Sequence, residues 1–436
     1  MNKCLKQWSN NSIFFLSLFL SISCNAQQPT LSCTQAIEKV VALDSLLQEY
    51  DFIKKDKYTL QNDTPSLNNF YKKVYNLRKN KEGKIKILHV GDSHMQADFL
   101  SSITRGVLQH YFGNAGRGLL FPYKYANTNG PGSYLSNSII PWGTNKVLLS
   151  PHTGICGYSL TTQSLIGDMV ITLKNQHGHD YKSTKVTMFH QRTQDNFLLD
   201  CYDTKSSQKA VKDSIYQYPN ATTLCFQEPV EEFYLTFMST DTINPYKRLD
   251  GIYLENNEPG ITYNMVGVNG AKYSHYNNSA NFAIELQALQ PDLVIFSMGT
   301  NEAFGAKNLD PDEFASEVQK LVTTIKNKCP ETSILLTTPP DSYKNDTSGR
   351  KSKNPNVKIA QQTIIQYAKD NQIAYWDLLE LIGGYGCMNK WAAANMTDAL
   401  WIHFSKQGYE IQGALLAKGI IKGFEKFCEK RKYKLP

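Results

Sequence analysis

Apolar and polar positions change period several times along the chain, and each change predicts an element. Lys84-Ile85-Lys86-Ile87 alternates and then runs apolar through Leu88-His89-Val90, the pattern of a strand entering a sheet from its surface. Phe99, Leu100, Ile103, Val107 and Tyr111 recur at helical spacing. Strands are expected at 293–298, 333–338 and 373–376. Between and after them helices are expected: Phe314, Val318, Leu321, Val322 and Ile325 share one face, a second helix covers about 356–369, and a final one follows Ser405 as N-cap. Ahead of all this, Ile37, Val40, Val41 and Leu47, and then Leu67, Phe70, Tyr71 and Val74, predict lead-in helices broken at Asn62-Asp63-Thr64-Pro65. Alternating β and α elements predict a parallel sheet with helices on both faces.

The middle of the chain has a different texture. Asn127-Thr128-Asn129-Gly130-Pro131-Gly132-Ser133 reads as a linker. Short strands follow at 169–173, 186–189, 197–199, 222–226 and 233–238. The last alternates Phe233, Leu235 and Phe237 against Tyr234 and Thr236. Strands with turn-rich spacers and no helical period predict a β-sandwich inserted at about 128–250. It serves either as a substrate-positioning module or as a structural elaboration.

Length and composition set bounds. A chain of 436 residues exceeds one ordinary core. The 41% apolar content fits a globular protein, and the formal net charge of +7 is spread along the chain. No basic run is interleaved with aromatics, so nucleic acid is not an expected partner. Lys3 and Lys6 followed by the apolar run Ile13–Ile22 and Cys24-Asn25-Ala26 read as a secretion signal cleaved near Ala26. Leu20-Ser21-Ile22-Ser23-Cys24 is a looser lipoprotein-type alternative that would anchor the chain at Cys24. The run is too short for a membrane span. An exported protein, periplasmic or cell-surface, is therefore expected.

Nine cysteines occur, and removing the first 26 residues leaves seven, an odd number. Cys201 and Cys225 lie in the insert and are candidates for a bridge. Cys329, Cys387 and Cys428 read as buried thiols or one bridge. No Cys-x-x-Cys pair occurs, and no metal or cofactor is expected. His177-Gly178-His179 reads as a solvated hairpin tip.

Chemistry concentrates where the predicted strands end. Gly91-Asp92-Ser93-His94 closes the first strand, so Ser93 projects over the sheet edge, where α/β folds hold ligands. Serine at a helix start would also gain from the positive end of the helix dipole. Val266-Gly267-Val268-Asn269-Gly270-Ala271 precedes a second buried-strand signal that stops at Gly299-Thr300-Asn301-Glu302, and His403-Phe404-Ser405 lies near the end. A serine, a turn glycine, an asparagine and a histidine in this order resemble the SGNH (GDSL-type) serine hydrolases. The match covers roughly residues 80–120 and 250–425. Gly91-Asp92-Ser93-His94-Met95-Gln96-Ala97-Asp98, Gly116-Arg117-Gly118 and Gly299-Thr300-Asn301-Glu302-Ala303 resemble the bacterial branch with peptidoglycan O-acetylesterases, which carries a β-rich insert after the first motif.

The resemblance implies an SGNH-hydrolase-like three-layer α/β/α fold with an inserted β-sandwich module. Residues 27–127 would form the lead-in helices and the first part of the hydrolase domain, and 251–436 the second. It implies Ser93 as nucleophile, His403 as general base, and the N–H groups of Ser93 and Gly270 with the Asn301 amide as oxyanion donors. The implied substrate is an acetylated glycan, with peptidoglycan as first candidate. An O-acetyltransferase on the same scaffold and a glycan-binding protein with a decayed site are the alternatives.

One position departs from the family. It places an aspartate three residues before the histidine, where this chain has Leu400. The imidazole needs an acceptor to fix its tautomer. Asp398 is the nearest carboxylate; Asp377 or a backbone carbonyl are the other acceptors. Arg117 reads as a contact to an acidic sugar, a support for the Ser93 loop or a surface arginine. His94 and Glu302 read as supports of the site. Trp391 and Trp401 flank the histidine loop, for stacking on a sugar or for packing.

Overall fold

The computed structural model describes residues 49–433 apart from 192–196, 219 and 347, and leaves out the side chains of 214–217. The expected secretion signal, Cys24 and the first lead-in helix lie outside the described residues. Among the described residues no helix is long and apolar enough to cross a membrane.

Five parallel strands form the sheet of the α/β part: Lys84–Gly91, Gly260–Gly267, Leu293–Ser297, Ser333–Thr337 and Ala374–Trp376. Counted along the chain, they lie in the order second, first, third, fourth, fifth. Side chains on the first strand alternate between two apolar cores. Ile85 and Ile87 join one and Leu88 and Val90 the other, so both faces are covered. The first core is closed by helices Asn68–Asn80, Phe99–Phe112 and Lys406–Lys430, the second by Phe282–Leu289, Pro311–Lys328 and Pro355–Asp370. Ser405 caps the last helix by accepting from the Gly408 N–H at 3.3 Å.

The second strand was not anticipated from sequence. Its polar residues Thr262 and Asn264 are fully buried, which blurs the apolar run. Asn264 Oδ1 accepts from Leu119 N at 2.7 Å, and its Nδ2 donates to Ile87 O at 2.9 Å. These bonds make the burial tolerable.

The insert consists of two antiparallel sheets. One joins Tyr134–Asn137, Ile166–Leu173, Glu232–Ser239 and Phe197–Asp203. The other has Lys247–Glu255 and Ser183–Gln191 near its centre, with Gly118–Leu120 also pairing to the former. Across the sandwich, rings meet edge to face: His190 on Phe197 at 5.4 Å and Trp142 on Phe237 at 5.8 Å. Cys201 and Cys225 fall in different sheets and both are free thiols, so the expected bridge is not formed. Cys329, Cys387 and Cys428 are free as well.

The His177-Gly178-His179 turn is a second correction. Both histidines are buried against helix Phe99–Phe112, and His179 Nε2 lies 2.9 Å from Gly106 O. Glycine at 106 leaves room for this approach, since a Cβ there would stand 3.0 Å from His177 Cβ.

Candidate active site

Strand order puts the chain's reversal of direction between the first and third strands, and ligands of open α/β sheets bind outside the strand ends at that point. Ser93 follows the first strand and Asn301 the third, so both loops open there. Gly267, at the end of the second strand, packs beneath the turn that carries Ser93. A Cβ there would stand 2.4 Å from Gln96 N, so only glycine permits the contact.

Ser93 begins a single turn, Ser93–Gln96, capped by Asp92, whose side chain accepts from His94 N at 2.9 Å. Asp98 then breaks the chain in a left-handed conformation, and the long helix starts at Phe99. Ser93 therefore does not sit at the N-terminus of that helix, and the expected dipole contribution falls away.

Ser93 Oγ lies 2.8 Å from His403 Nε2, and His403 Nδ1 lies 3.0 Å from Asp398 Oδ2. The other Asp398 oxygen accepts from Ile402 N at 3.0 Å. A hairpin closes the longer acid-to-histidine spacing: Asp398 N donates to His403 O at 2.9 Å, Thr397 pairs with Phe404, and Trp401 takes a left-handed φ of 58°. Burial alone would raise the Asp398 carboxyl, but the Ile402 N–H and His403 outweigh it and hold it below its usual value. Leu400, at the family's usual acid position, is exposed on this hairpin. Asp377 is engaged elsewhere: it caps the short helix at 378–381 and accepts from Gln361 at 2.8 Å.

Asn301 Nδ2 donates to Ala271 O at 2.9 Å and to Asp92 Oδ2 at 3.2 Å. Gly270 takes a left-handed φ of 83° in the turn just before Ala271. Leu148 of the insert stands above it, 2.9 Å from where a Cβ would lie. Asp92 is fully buried, and burial pushes its carboxyl up to about 6. Glu302 Oε1 accepts from Tyr273 N at 2.9 Å, and burial pushes that carboxyl up to about 7.

Sequence reasoning gave no role to Gln96, which ties three segments together. Its Oε1 accepts from Asn269 N at 2.7 Å and Tyr158 OH at 3.1 Å, and its Nε2 donates to Asn129 O at 3.1 Å. The linker, the insert and the Gly270 turn are thus held from the turn that carries Ser93. Tyr409 was also missed; its hydroxyl lies 2.9 Å from His94 Nδ1. The His94 ring packs 5.1 Å from that of His403, and burial drives its pKa well below the usual value.

Arg117 is fully buried and bonds Ser133 Oγ at 2.6 Å, so it is neither a sugar contact nor a surface residue. Trp391 is buried against Phe404 and donates to Ile382 O at 2.9 Å, which makes it a packing residue. Trp401 is half-buried against Tyr343. Among the described residues no group of three His, Cys, Asp or Glu side chains could hold a metal ion.

Residues 241–411 match the model of the GDSL-like lipase/acylhydrolase family, a span that includes Gly270, Asn301, Asp398 and His403 and begins after Ser93. A solved structure described as "Peptidoglycan O-acetylesterase in action, 5 min" is similar at a TM-score of 0.69 and 22% identity, over 85% of this chain and 99% of that one. A lipase/acylhydrolase from Enterococcus faecalis matches at 22% identity over 41% of this chain and 80% of its own, with a TM-score of 0.28. A family two carbohydrate esterase from Cellvibrio japonicus matches at 13% identity over 67% and 99%, with a TM-score of 0.29. No curated protein sequence matches the chain.

Proposed function

We propose, from the premise that this chain belongs to the SGNH (GDSL-type) hydrolase family and is a carboxylic ester hydrolase, that it removes O-acetyl groups from a glycan outside the cytoplasm. The observation that carries this reading is the hydrogen-bonded series Ser93–His403–Asp398 at a sheet's switch point. The acetylated glycan, with peptidoglycan as first choice, is supported by the fold-wide likeness to a peptidoglycan O-acetylesterase. Export is supported by the sequence pattern of residues 1–26.

In the reaction, Ser93 Oγ attacks the acetyl carbonyl carbon while His403 Nε2 takes the hydroxyl proton. The Asp398 carboxylate keeps the Nδ1–H tautomer and stabilises the imidazolium that forms. The carbonyl oxygen becomes an oxyanion held by the N–H groups of Ser93 and Gly270 and by the Asn301 amide, one hydrogen of which leaves Asp92 for the substrate. Each such donor typically contributes about 3 kcal/mol in the transition state. His403 then protonates the sugar oxygen as its bond to the acetyl carbon breaks. Water attacks the acetyl-Ser93 ester, His403 accepts the water proton, and acetate leaves as Ser93 Oγ regains a proton. These steps are complete with the side chains named and call for no metal or cofactor.

The test is acetate release from a panel of O-acetylated polymers, peptidoglycan included, by the purified chain. Release from at least one glycan at a rate well above that from a simple aryl acetate is expected. Hydrolysis of aryl acetates alone would overturn the glycan assignment.

A further inference from the structure

A groove of about 400 Å³ lies where the insert meets the edge of the catalytic domain. Lys84 and Lys86 are on the first catalytic strand near its start, and Ser93 follows its end. A strand rises about 3.3 Å per residue, so the groove is about 25 Å from Ser93. It takes no part in the chemistry described above.

The groove's floor is the outer face of the insert's larger sheet. Register puts Glu255, Lys185 and Cys225 in one row and Tyr253, Thr187 and Thr223 in the next. Thr187 and Thr223 share a hydrogen bond of 2.8 Å between their hydroxyls. The wall is Lys84 and Lys86 with Ala288 and Leu289 of helix Phe282–Leu289, and Tyr218 closes one end. The lining holds three lysines and Glu255, with Asp213 beside Lys185 as a second carboxylate. Lys84 Nζ donates to Asn256 O and reaches Glu255 at 3.5 Å, and Lys185 reaches Asp213 at 3.5 Å, both ion pairs long for charged hydrogen bonds. Lys86 Nζ donates to Leu289 O at 3.1 Å and lies 5.3 Å from the centre of the Tyr253 ring. All three lysines line the same space; burial lowers the Lys84 pKa, Glu255 partly offsets this, and Lys185 and Lys86 add to the lowering.

Convergent cations over a floor of hydroxyls and aromatic edges suit a ligand that carries a carboxylate among many hydroxyl groups. We infer that this junction groove binds a carboxylate-bearing saccharide segment, distinct from the residue whose ester is cleaved. The saccharide part of the inference rests on the proposed glycan reading; the anionic part rests on the lysines. A long glycan held here would be retained between cleavages, because a polymer can reach both places while a short ester cannot.

The test is calorimetric titration of the full chain with trigalacturonic acid, maltotriose and inorganic phosphate. Trigalacturonic acid should bind, more weakly as salt is raised, while maltotriose does not and phosphate binds much less tightly. In a Lys86→Gln/Lys185→Gln variant the affinity should fall by about tenfold or more, the loss of roughly one charge-assisted hydrogen bond. Turnover of an aryl acetate should be unchanged in that variant. Equal binding of maltotriose, phosphate binding as tight as the acidic trisaccharide, no binding at all, or full affinity in the variant would each overturn the inference. The wild-type comparison needs no variant to fold. Groove binding without acetate release from any glycan would instead count against the proposed reaction, so the two failures are separable.

Discussion

At the scale of single residues, the partner of His403 decides how the site works. Its acid lies five positions upstream, and no count along the sequence reveals that a hairpin with a left-handed Trp401 brings it back. That is why Asp398, Asp377 and a backbone carbonyl all stood as acceptors on sequence grounds, while Ser93 and Asn301 were picked out by motifs at predicted strand ends and His403 by its place in the order of the motifs. With Asp398 at 3.0 Å, Asp398→Asn should lower kcat by about 10³–10⁴-fold with the fold intact, because the amide favours the wrong tautomer. A loss below about tenfold beside an inactive His403→Ala enzyme would leave a Ser93–His403 dyad. Steady-state kinetics with matched circular dichroism spectra separate these outcomes.

A second residue-scale prediction concerns stability. His89 is fully buried between Tyr263 OH and Ser297 Oγ, each at 2.6 Å, and burial lowers its pKa from 6.5 to about 3. Below pH 6.5 the unfolded chain takes up a proton that the folded one refuses. The stability of the neutral histidine is thus fully present above 6.5 and is lost as pH falls toward 3. In urea titrations at several pH values, a His89→Gln variant should be less stable than wild type at pH 7. Its stability should also fall less steeply on acidification, by about 1.4 kcal/mol per pH unit. Parallel pH dependences would refute this.

At the scale of elements, long periodic helices and apolar strands were readable, and short or polar-bearing ones were not. Helices Pro311–Lys328 and Pro355–Asp370 appear where spacing put them. Gly260–Gly267 escaped because Thr262 and Asn264 are buried by virtue of partners on other segments. The helix after Ser93 was drawn too long because the break at Asp98 has a tertiary cause. Asp98 is buried and receives two bonds from Arg105, at 2.6 and 3.2 Å, with Arg117 at 3.5 Å. Burial alone would raise its carboxyl, but the two guanidinium groups hold it below the usual range. Arg105 also reaches Gln176 at 3.1 Å and Tyr181 at 3.3 Å, which fastens helix Phe99–Phe112 to the insert. Arg105→Met should therefore cost about 3–5 kcal/mol in denaturant unfolding, the usual result of leaving a buried charge short of its partner. A loss under about 1 kcal/mol would show that Arg117 alone compensates Asp98.

At the scale of the whole molecule, the β-then-α rhythm carries the fold class and the change of texture after Asn127 carries the insert. Sheet order is what sequence does not state. The placement of the second strand outside the first puts the Ser93 and Asn301 loops side by side, and the insert's Leu148 then covers Gly270. The buried arginines, the paired His177–His179 turn and Gln96 all join insert to catalytic domain, contacts that have no signature in local periodicity. The resulting account has one nucleophile at its centre. The most direct measurement is acetate release from an O-acetylated glycan by the Ser93→Ala chain, with its folding checked by thermal melting. The account predicts turnover reduced by several orders of magnitude at an unchanged melting temperature. Retention of more than a few per cent of wild-type turnover would contradict it.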